Sequence, residues 1–226
     1  MTVLAQSTLA RCVDILVDAA GVRWTINELV RYYNDGQREA IVKRPDATAT
    51  YTTFSCVAGP KQAIPAEAAK LIDIIRNSGS ASKKQPVRMV NRVLLDAMEP
   101  DWYTAPNSVD IQHFMYDVRD PRTFYVYPPA SPSAKLEMVY SAMPVDIPEP
   151  GVDKTLADVT GSSSLPDIFS NCLIDYVLYR AFSKDSEYAG NGQRAIAHYA
   201  AFSNFLEFEV KGTVATSPSG GATSAE

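Results

Sequence analysis

The sequence predicts an α+β protein in which a pair of helices at each end of the chain flanks a β-rich middle. Apolar residues recur at helical spacing before residue 47 and after residue 165, whereas short alternating runs dominate between them. The two helix pairs are expected to pack as one antiparallel helical bundle, with an antiparallel β-rich insertion. The predicted parts are a bundle domain of 1–47 and 165–211, an insertion of 48–146, a long loop of 147–164 and an extended tail of 212–226.

The first predicted helix follows from a stripe of apolar residues near the start of the chain. Leu9, Cys12 and Leu16 recur at spacings of three and four, which places them on one helical face. Gly21 is a natural stop because glycine readily adopts the left-handed conformation that ends helices. We therefore expect one amphipathic helix before residue 21.

The second helix has a clear start and a clear end. Thr25 and Glu28 have the spacing of a capping box, in which the hydroxyl and the carboxylate each accept a free backbone N–H. Pro45 disfavours the helical conformation of the residue before it, so the helix should end near Arg44.

The middle of the chain reads as a series of strands. Asn91 can cap one short helix there, which Pro100 closes after Met98. For KLIDIIRN (70–77) a helix is the main alternative, because residues 66–69 are good helix formers. The predicted strands are TYTTFSCV (50–57), KLIDIIRN (70–77), residues 87–90, IQHFMYDV (111–118), TFYVYP (123–128) and KLEMVYSA (135–142). The last three of them are expected to form an antiparallel meander.

The run TFYVYP supplies candidate contact residues. Phe124 and Val126 should face one side of the strand, and Tyr125 and Tyr127 the other. Tyrosine is enriched at protein interfaces because its ring offers a large and stiff contact area, so we single out Tyr125 and Tyr127 as interface candidates. The alternative is that these rings line the core with their hydroxyls at its rim.

Two more helices are expected after the loop. Asp167 can cap the first of them, and the second should run from about Asp185 to Val210. Gly190 and Gly192 near its start predict either close helix contact or a break. The preceding segment, 147–166, is long enough to be either functional or loosely held.

The tail has the composition of a segment that cannot order itself. Residues 212–226 contain no aromatic residue and no large aliphatic residue except Val214, so they cannot bury enough apolar surface to offset their ordering entropy. We therefore expect the tail to gain order only against another protein. The candidate contact residues are Thr213, Val214, Ser217 and Pro218.

Patterns that support catalysis, metal binding or cofactor binding are missing from the sequence. There are 2 histidines, His113 and His198, and neither belongs to an HExxH pattern. No CxxC, GxSxG or phosphate-binding glycine loop occurs, and the 3 cysteines read as buried, reduced thiols. The sequence therefore predicts no enzyme, no metal and no cofactor.

The net charge and the hydropathy of the sequence limit the classes of partner that the protein can bind. The net charge of -5 disfavours a protein that grips nucleic acid through a basic surface, but it suits a channel that DNA must slide through. No apolar run approaches the length of a membrane span, and no signal peptide is apparent, so we expect a protein made in the cytoplasm.

Five segments together resemble phage adaptor proteins, the head-to-tail connector subunits of tailed bacteriophages, which are similar in role to the tail tubular protein A of short-tailed phages. The resemblance covers most of residues 20–205 and depends on the number and order of matching segments. They are RWTINELVRYYNDGQREAIVKRPDA (23–47), MEPDW (98–102), DVRDPRTFYVYPP (117–129), MVYSAMP (138–144) and DYVLYRAFSKDSEYAGNGQRAIAHYAAF (175–202).

This resemblance implies a structural component of the virion at the head-tail junction. Twelve copies would form a ring beneath the portal protein and continue its channel, through which DNA passes without sequence-specific binding. The bundle would form the ring body, the insertion would face the tail nozzle or tail fibre proteins, and the tail would run along the portal. No membrane is implied.

Two other functions remain open at this point. One is a different neck or tail-completion protein of a phage virion, which would contact the tail rather than the portal. The other is a small hydrolase or carbohydrate-binding module that uses the aromatic hairpin around Tyr125 and Tyr127.

Overall fold

The chain folds into two compact units in the computed structural model, which describes residues 4–79, 84–188 and 190–216, the last nine of them by backbone only. One unit consists of Met1–Ala47 with Pro144–Glu226 and is called the helical unit here. The other, Thr48–Met143, is called the β unit. Helices and sheets together confirm the predicted α+β class.

The described residues of the helical unit form four α-helices that share one apolar core. They are α1 (Ala5–Leu16), α2 (Ile26–Lys43), α4 (Ser170–Lys184) and α5 (Asn191–Thr216). α4 contacts each of the other three helices. Ring contacts between α4 and α5 join Phe182 to His198 and Tyr176 to Phe202, so these two helices run antiparallel.

The end of α1 differs from the prediction that Gly21 stops it. α1 ends at Leu16, and Val17 takes the left-handed conformation with φ 52°. The chain then turns around Asp18, whose carboxylate accepts the backbone N–H groups of residues 22, 23 and 24 at 2.9–3.0 Å. These bonds, led by the one from Trp24, lower the pKa of Asp18. A side chain that satisfies three N–H groups holds the turn before the glycine is reached.

α2 begins and ends where the sequence predicts, but only half of the capping box forms. The Thr25 hydroxyl accepts the Glu28 N–H at 3.4 Å, which confirms the N-cap. The Glu28 carboxylate instead accepts hydrogen bonds from Tyr32 and Lys184, at 2.7 and 2.8 Å. Arg44 follows the last helical residue, as Pro45 requires.

Outside residues 80–83, the β unit holds two sheets and one α-helix, α3 (Arg92–Met98), which Asn91 caps as predicted. One sheet has the order β1 (Ala49–Ser55), β7 (Ala134–Ala142), β3 (Ala68–Gly79) and is antiparallel. The other has the order β2 (Gly59–Ala63), β6 (Thr123–Ala130), β5 (His113–Tyr116), β4 (Arg88–Met89). Residues 70–77 are thus a strand and not a helix.

The predicted meander is wrong at its third strand. β5 and β6 pair antiparallel, but β7 pairs with β1 and β3 in the other sheet. Ala130, Ala134 and Leu136 are fully buried in one core, so leaving the sheet of β6 after Ala130 lets the chain cover that core. β4 also runs parallel to β5, so the insertion is not purely antiparallel, and the sequence analysis missed β2.

Two further predictions fail around the last helices. Asp167 does not cap α4: it begins a 3-10 turn, Asp167–Phe169, and its carboxylate accepts a hydrogen bond from the Ser170 hydroxyl at 3.1 Å. The final helix begins at Asn191 rather than near Asp185, since Gly190 has φ 77°, a conformation that breaks the helix as the glycine allowed.

α5 continues to Thr216, five residues into the segment predicted as an extended tail. Lengthening an existing helix adds one hydrogen bond per residue without a new nucleation cost, so a segment that cannot start a helix can still extend one. Residues 217–226, with the candidates Ser217 and Pro218, lie outside the described residues.

Candidate interaction surfaces

The groups that could support chemistry in the described chain are placed in structural roles. His198 lies 2.8 Å from Asp175 and stacks on Phe182, and His113 stacks on Tyr127. The three cysteines are free and buried, as predicted. Within residues 4–79, 84–188 and 190–216, no group of three His, Cys, Asp or Glu side chains could hold a metal ion. In the same residues, no helix is long and apolar enough to cross a membrane.

A polar face of α2 holds the segment that follows the β unit. Asn34 exchanges two hydrogen bonds with the backbone of Ile147, at 3.0 and 2.9 Å, and Asn27 does the same with Gly151, at 3.0 and 3.2 Å. Each side-chain amide thus acts as a strand would, satisfying one N–H and one C=O of an otherwise unpaired backbone. We call Asn27, Arg31, Asn34, Gln37 and Arg38 the α2 clamp.

The charged members of the α2 clamp and Gln37 also bind the segment that follows the β unit. Arg31 makes two bonds of 2.7 Å to Glu149, and this guanidinium lowers the pKa of the Glu149 carboxyl. Gln37 is fully buried and accepts the backbone N–H of Ser164 at 2.8 Å. The long loop is therefore bound along α2 rather than loosely held.

The outer faces of α4 and α5 leave an apolar groove between them, which we call the furrow. Its volume is about 540 Å³, and its lining includes Tyr179, Ser183, Ala195, Ile196, Tyr199 and Ala200. In the part of the chain that the structure describes, no charged side chain lines it. Ile196 on its wall is 65 % exposed, so the furrow is open to solvent.

Contacts with other residues of the helical unit hold the side chains that line the furrow in place. The Tyr199 hydroxyl donates to Glu39 at 3.0 Å, and its ring lies 4.8 Å from that of Tyr179. The Lys43 ammonium donates to Ser203 at 3.0 Å. These contacts hold the two tyrosine rings in place, so the furrow is formed before anything binds to it.

α3 in the β unit exposes the apolar side chains that a helix normally buries. Val93 is 74 % exposed, Leu94 57 % and Met98 70 %, and Leu95 is the one α3 residue that is buried. Val93, Leu94, Ala97 and Met98 form a continuous arc of the helix, which we call the ridge. The charged Arg92 and Asp96 lie on the other side and pair with each other. An exposed apolar arc of this kind is typical of contact surfaces.

The structure places Tyr125 and Tyr127 half-buried on the outer side of β6, opposite the buried Phe124 and Val126, as the alternation predicts. The Tyr125 ring packs edge-on against Trp102 at 6.2 Å, and that of Tyr127 stacks on His113 at 6.3 Å. Both rings therefore contribute to packing within the β unit, and whether they also touch a partner stays a prediction.

Thr213 and Val214 lie in the last turns of α5. Leu206 is the last α5 residue that is buried among those whose side chains are described. Ten more helical residues follow it, which extend α5 by about 15 Å. Thr213 and Val214 belong to the helical unit, whereas Tyr125 and Tyr127 belong to the β unit.

Sequence reasoning missed the α2 clamp, the ridge and the furrow. The polar residues at 27, 31, 34 and 38 recur at helical spacing within a motif already noted for its resemblance, and this periodicity could have indicated a polar contact face. The furrow had no such signal, since it arises only when α4 and α5 pack side by side.

Comparison with known proteins completes this description. No curated protein matches the chain. The family model described as SU10 adaptor protein matches residues 3–221, nearly the whole sequence. This family consists of structural phage adaptors and is not a family of enzymes. The match confirms the resemblance drawn from the sequence motifs, and the chain belongs to the SU10 adaptor protein family.

Proposed function

We propose that this protein is a head-to-tail adaptor of the virion that forms a ring, twelve copies in number, beneath the portal protein. The ring extends the DNA channel and provides the platform on which the tail nozzle or tail fibre proteins dock. The single observation that carries this proposal is the family match across residues 3–221.

The surface of the described residues supports an assembly role. The ridge and the furrow are both apolar and open to solvent, and such surfaces in a water-exposed protein are typical of contacts with other proteins. The net charge of -5 suits a channel wall that DNA passes without binding.

The end of α5 is the proposed portal-binding arm. Among the α5 residues whose side chains are described, Leu206 is the last one buried in the core of the helical unit, and α5 continues beyond it to Thr216. Thr213, Val214, Ser217 and Pro218 are the proposed contact residues in and beyond this arm. The arm gains its binding energy from the portal, because its sequence offers little apolar surface to the helical unit.

The test is a docking experiment with purified portal protein. A chain that ends after Lys211 should lose the helical signal of residues 212–216 and no more, keep its unfolding midpoint, and lose portal binding. A matched variant replaces residues 212–226 by glycine and serine at the same length, which separates the effect of sequence from that of length. Electron microscopy of the full chain with portal should show rings of twelve.

Docking of the truncated chain as tight as that of the full chain would contradict the role of the arm. Binding to purified nozzle protein with none to portal would favour a tail-completion protein instead. Turnover of a substrate, or glycan binding that is lost on Tyr125→Ala or Tyr127→Ala, would favour the enzyme or carbohydrate-binding function.

A further inference from the structure

The ridge and the furrow have complementary shape and chemistry. The ridge is convex, because α3 projects Val93, Leu94 and Met98 into solvent. The furrow is concave, with small residues such as Ala195 and Ala200 between the rings of its walls. Neither surface carries a charged side chain in the described residues, so joining them would bury no unpaired charge.

The spacing of the ridge suits a helical groove. Leu94 and Met98 are four residues apart, so their side chains lie about one turn apart on the same side of α3. A short amphipathic helix that lays two or three such anchors into a groove is a common mode of protein recognition. The furrow lies between two helices and is large enough, at about 540 Å³, for more than one of these side chains.

We propose that the furrow of one copy receives the ridge of the neighbouring copy, and that this contact joins successive copies of the ring. The proposal rests on the proposed ring function. A contact between two different faces of identical chains is head-to-tail, and it closes into a ring when its rotation divides a full turn. One chain that carries both an apolar ridge and an apolar furrow has the two halves such a contact needs.

The occupant of the furrow is a second copy rather than the end of the same chain. The segment 217–226, SPSGGATSAE, contains no large apolar residue, so it offers nothing that would fill an apolar groove between Tyr179 and Ile196. The ridge has the apolar anchors that this segment lacks.

Two charge substitutions in the full chain test the proposal. Met98→Glu alters the ridge alone, and Ile196→Glu alters the furrow alone. Because each places a charge in a dry contact, each should weaken self-association about a hundredfold and abolish rings in the presence of portal. Val118→Glu and Val152→Glu are matched controls, since they add the same charge at valines that are 65 % and 83 % exposed elsewhere.

A mixture of the two variants shows whether the contact is head-to-tail. The Met98→Glu chain keeps an intact furrow, and the Ile196→Glu chain keeps an intact ridge. Mixed at high concentration, they should form one-to-one dimers and nothing larger, as measured by native mass spectrometry. A mixture that stays monomeric, or either variant forming rings like the unaltered chain, would overturn the proposal.

Cysteine cross-linking provides an independent measurement. A chain with both Met98→Cys and Ile196→Cys should give a ladder of covalent multimers when oxidised in the ring, whereas each single variant should give none. The native thiols should not interfere, because burial raises the pKa of Cys12, Cys56 and Cys172 to about 12. Unfolding curves of every variant are the control that checks whether the fold is intact.

The outcomes separate this proposal from the proposed function. Rings that form with portal yet tolerate Met98→Glu and give no ladder would overturn the ridge-furrow contact and leave the adaptor ring standing. An unaltered chain that forms no ring even with portal would contradict both.

Discussion

α2 and α3 both begin at a polar N-cap residue, Thr25 and Asn91, but they use their surfaces in opposite ways. α2 buries nine of its 18 residues, and its polar face is occupied by the segment after the β unit. α3 buries one of seven and turns its apolar arc to solvent. A helix whose apolar face is buried and whose polar face is bound within the chain serves stability, whereas one with an uncovered apolar face is available for assembly.

The largest expected effect is a fall in the free energy of unfolding at high pH, caused by titratable groups in the core around α2. Burial raises the pKa of the Cys12 and Cys172 thiols to about 12, and burial with a hydrogen bond to Glu28 raises that of Tyr32 to about 12. In the unfolded chain these groups lose their protons at lower pH, near 9 for a thiol and 10 for a tyrosine. The native state then binds more protons, so its stability is complete below about pH 9 and falls as the pH rises toward 12.

Urea unfolding at several values between about pH 8 and about pH 11, followed by circular dichroism, measures this slope. A chain with Cys12→Ala and Cys172→Ala should show a shallower slope, though a lower stability at every pH because two cavities are created. A free energy of unfolding that stays constant across this range would show that these groups are not buried as described.

The next largest effect is expected from Asn34→Ala in the α2 clamp. Asn34 is 7 % exposed, and its removal leaves the N–H and C=O of Ile147 without their partners. Each unpaired buried group costs about 1–3 kcal/mol, so the free energy of unfolding should fall by about 3 kcal/mol. Asn27→Ala is the matched control, since it removes the same pair of bonds, to Gly151, at a half-exposed place.

Urea denaturation of the two alanine variants gives the comparison. The loss for Asn27→Ala should be the smaller, because water can replace the bonds at an exposed backbone. Equal losses would mean that burial does not set the strength of the α2 clamp, and no loss for Asn34→Ala would mean that the loop is not held through this amide.

A smaller effect is expected where α2 approaches α4 most closely. A Cβ on Gly36 would lie 2.9 Å from Cδ1 of Tyr176 and 3.3 Å from Cδ2 of Leu173, both of them buried. Overpacking costs about 1–3 kcal/mol and the better helix propensity of alanine returns about 1, so Gly36→Ala should lower the free energy of unfolding by up to about 2 kcal/mol. Thermal and urea unfolding measure it.

The double variant Gly36→Ala with Tyr176→Leu identifies the cause. If the new methyl group clashes with the ring, the double variant should lose less stability than the sum of the two single losses. Additive losses would place the strain elsewhere.

The smallest effect is expected from replacing the N-cap residues of α2 and α3. Thr25→Ala should lower the free energy of unfolding by about 1 kcal/mol, the usual cost of a lost N-cap, because α2 is central to the helical core. Asn91→Ala should cost less than about 0.5 kcal/mol, since α3 buries one of its own seven residues, Leu95. Equal costs in urea unfolding would indicate that α3 is as integral to the fold as α2.

Local signals in the sequence were enough for most elements. Thr25, Pro45 and Asn91 mark helix boundaries through their own backbone chemistry, and the alternation around Phe124 and Val126 marks β6. Boundary residues of the same kind gave wrong predictions at Asp167 and Gly21. A residue that can cap or end a helix does not do so where a neighbouring residue has already set the boundary. The turn around Asp18 is the clearest case.

The sequence by itself determined the α+β class, the order of most helices and strands and the family, because apolar periodicity, caps and motif order are all written along the chain. Only the tertiary structure decided that β7 leaves the sheet of β6, that Asn34 holds Ile147, and that α4 and α5 leave a furrow. Each of these depends on residues far apart in sequence, and their pairing is set by which packing buries the shared core, a property that no local pattern carries.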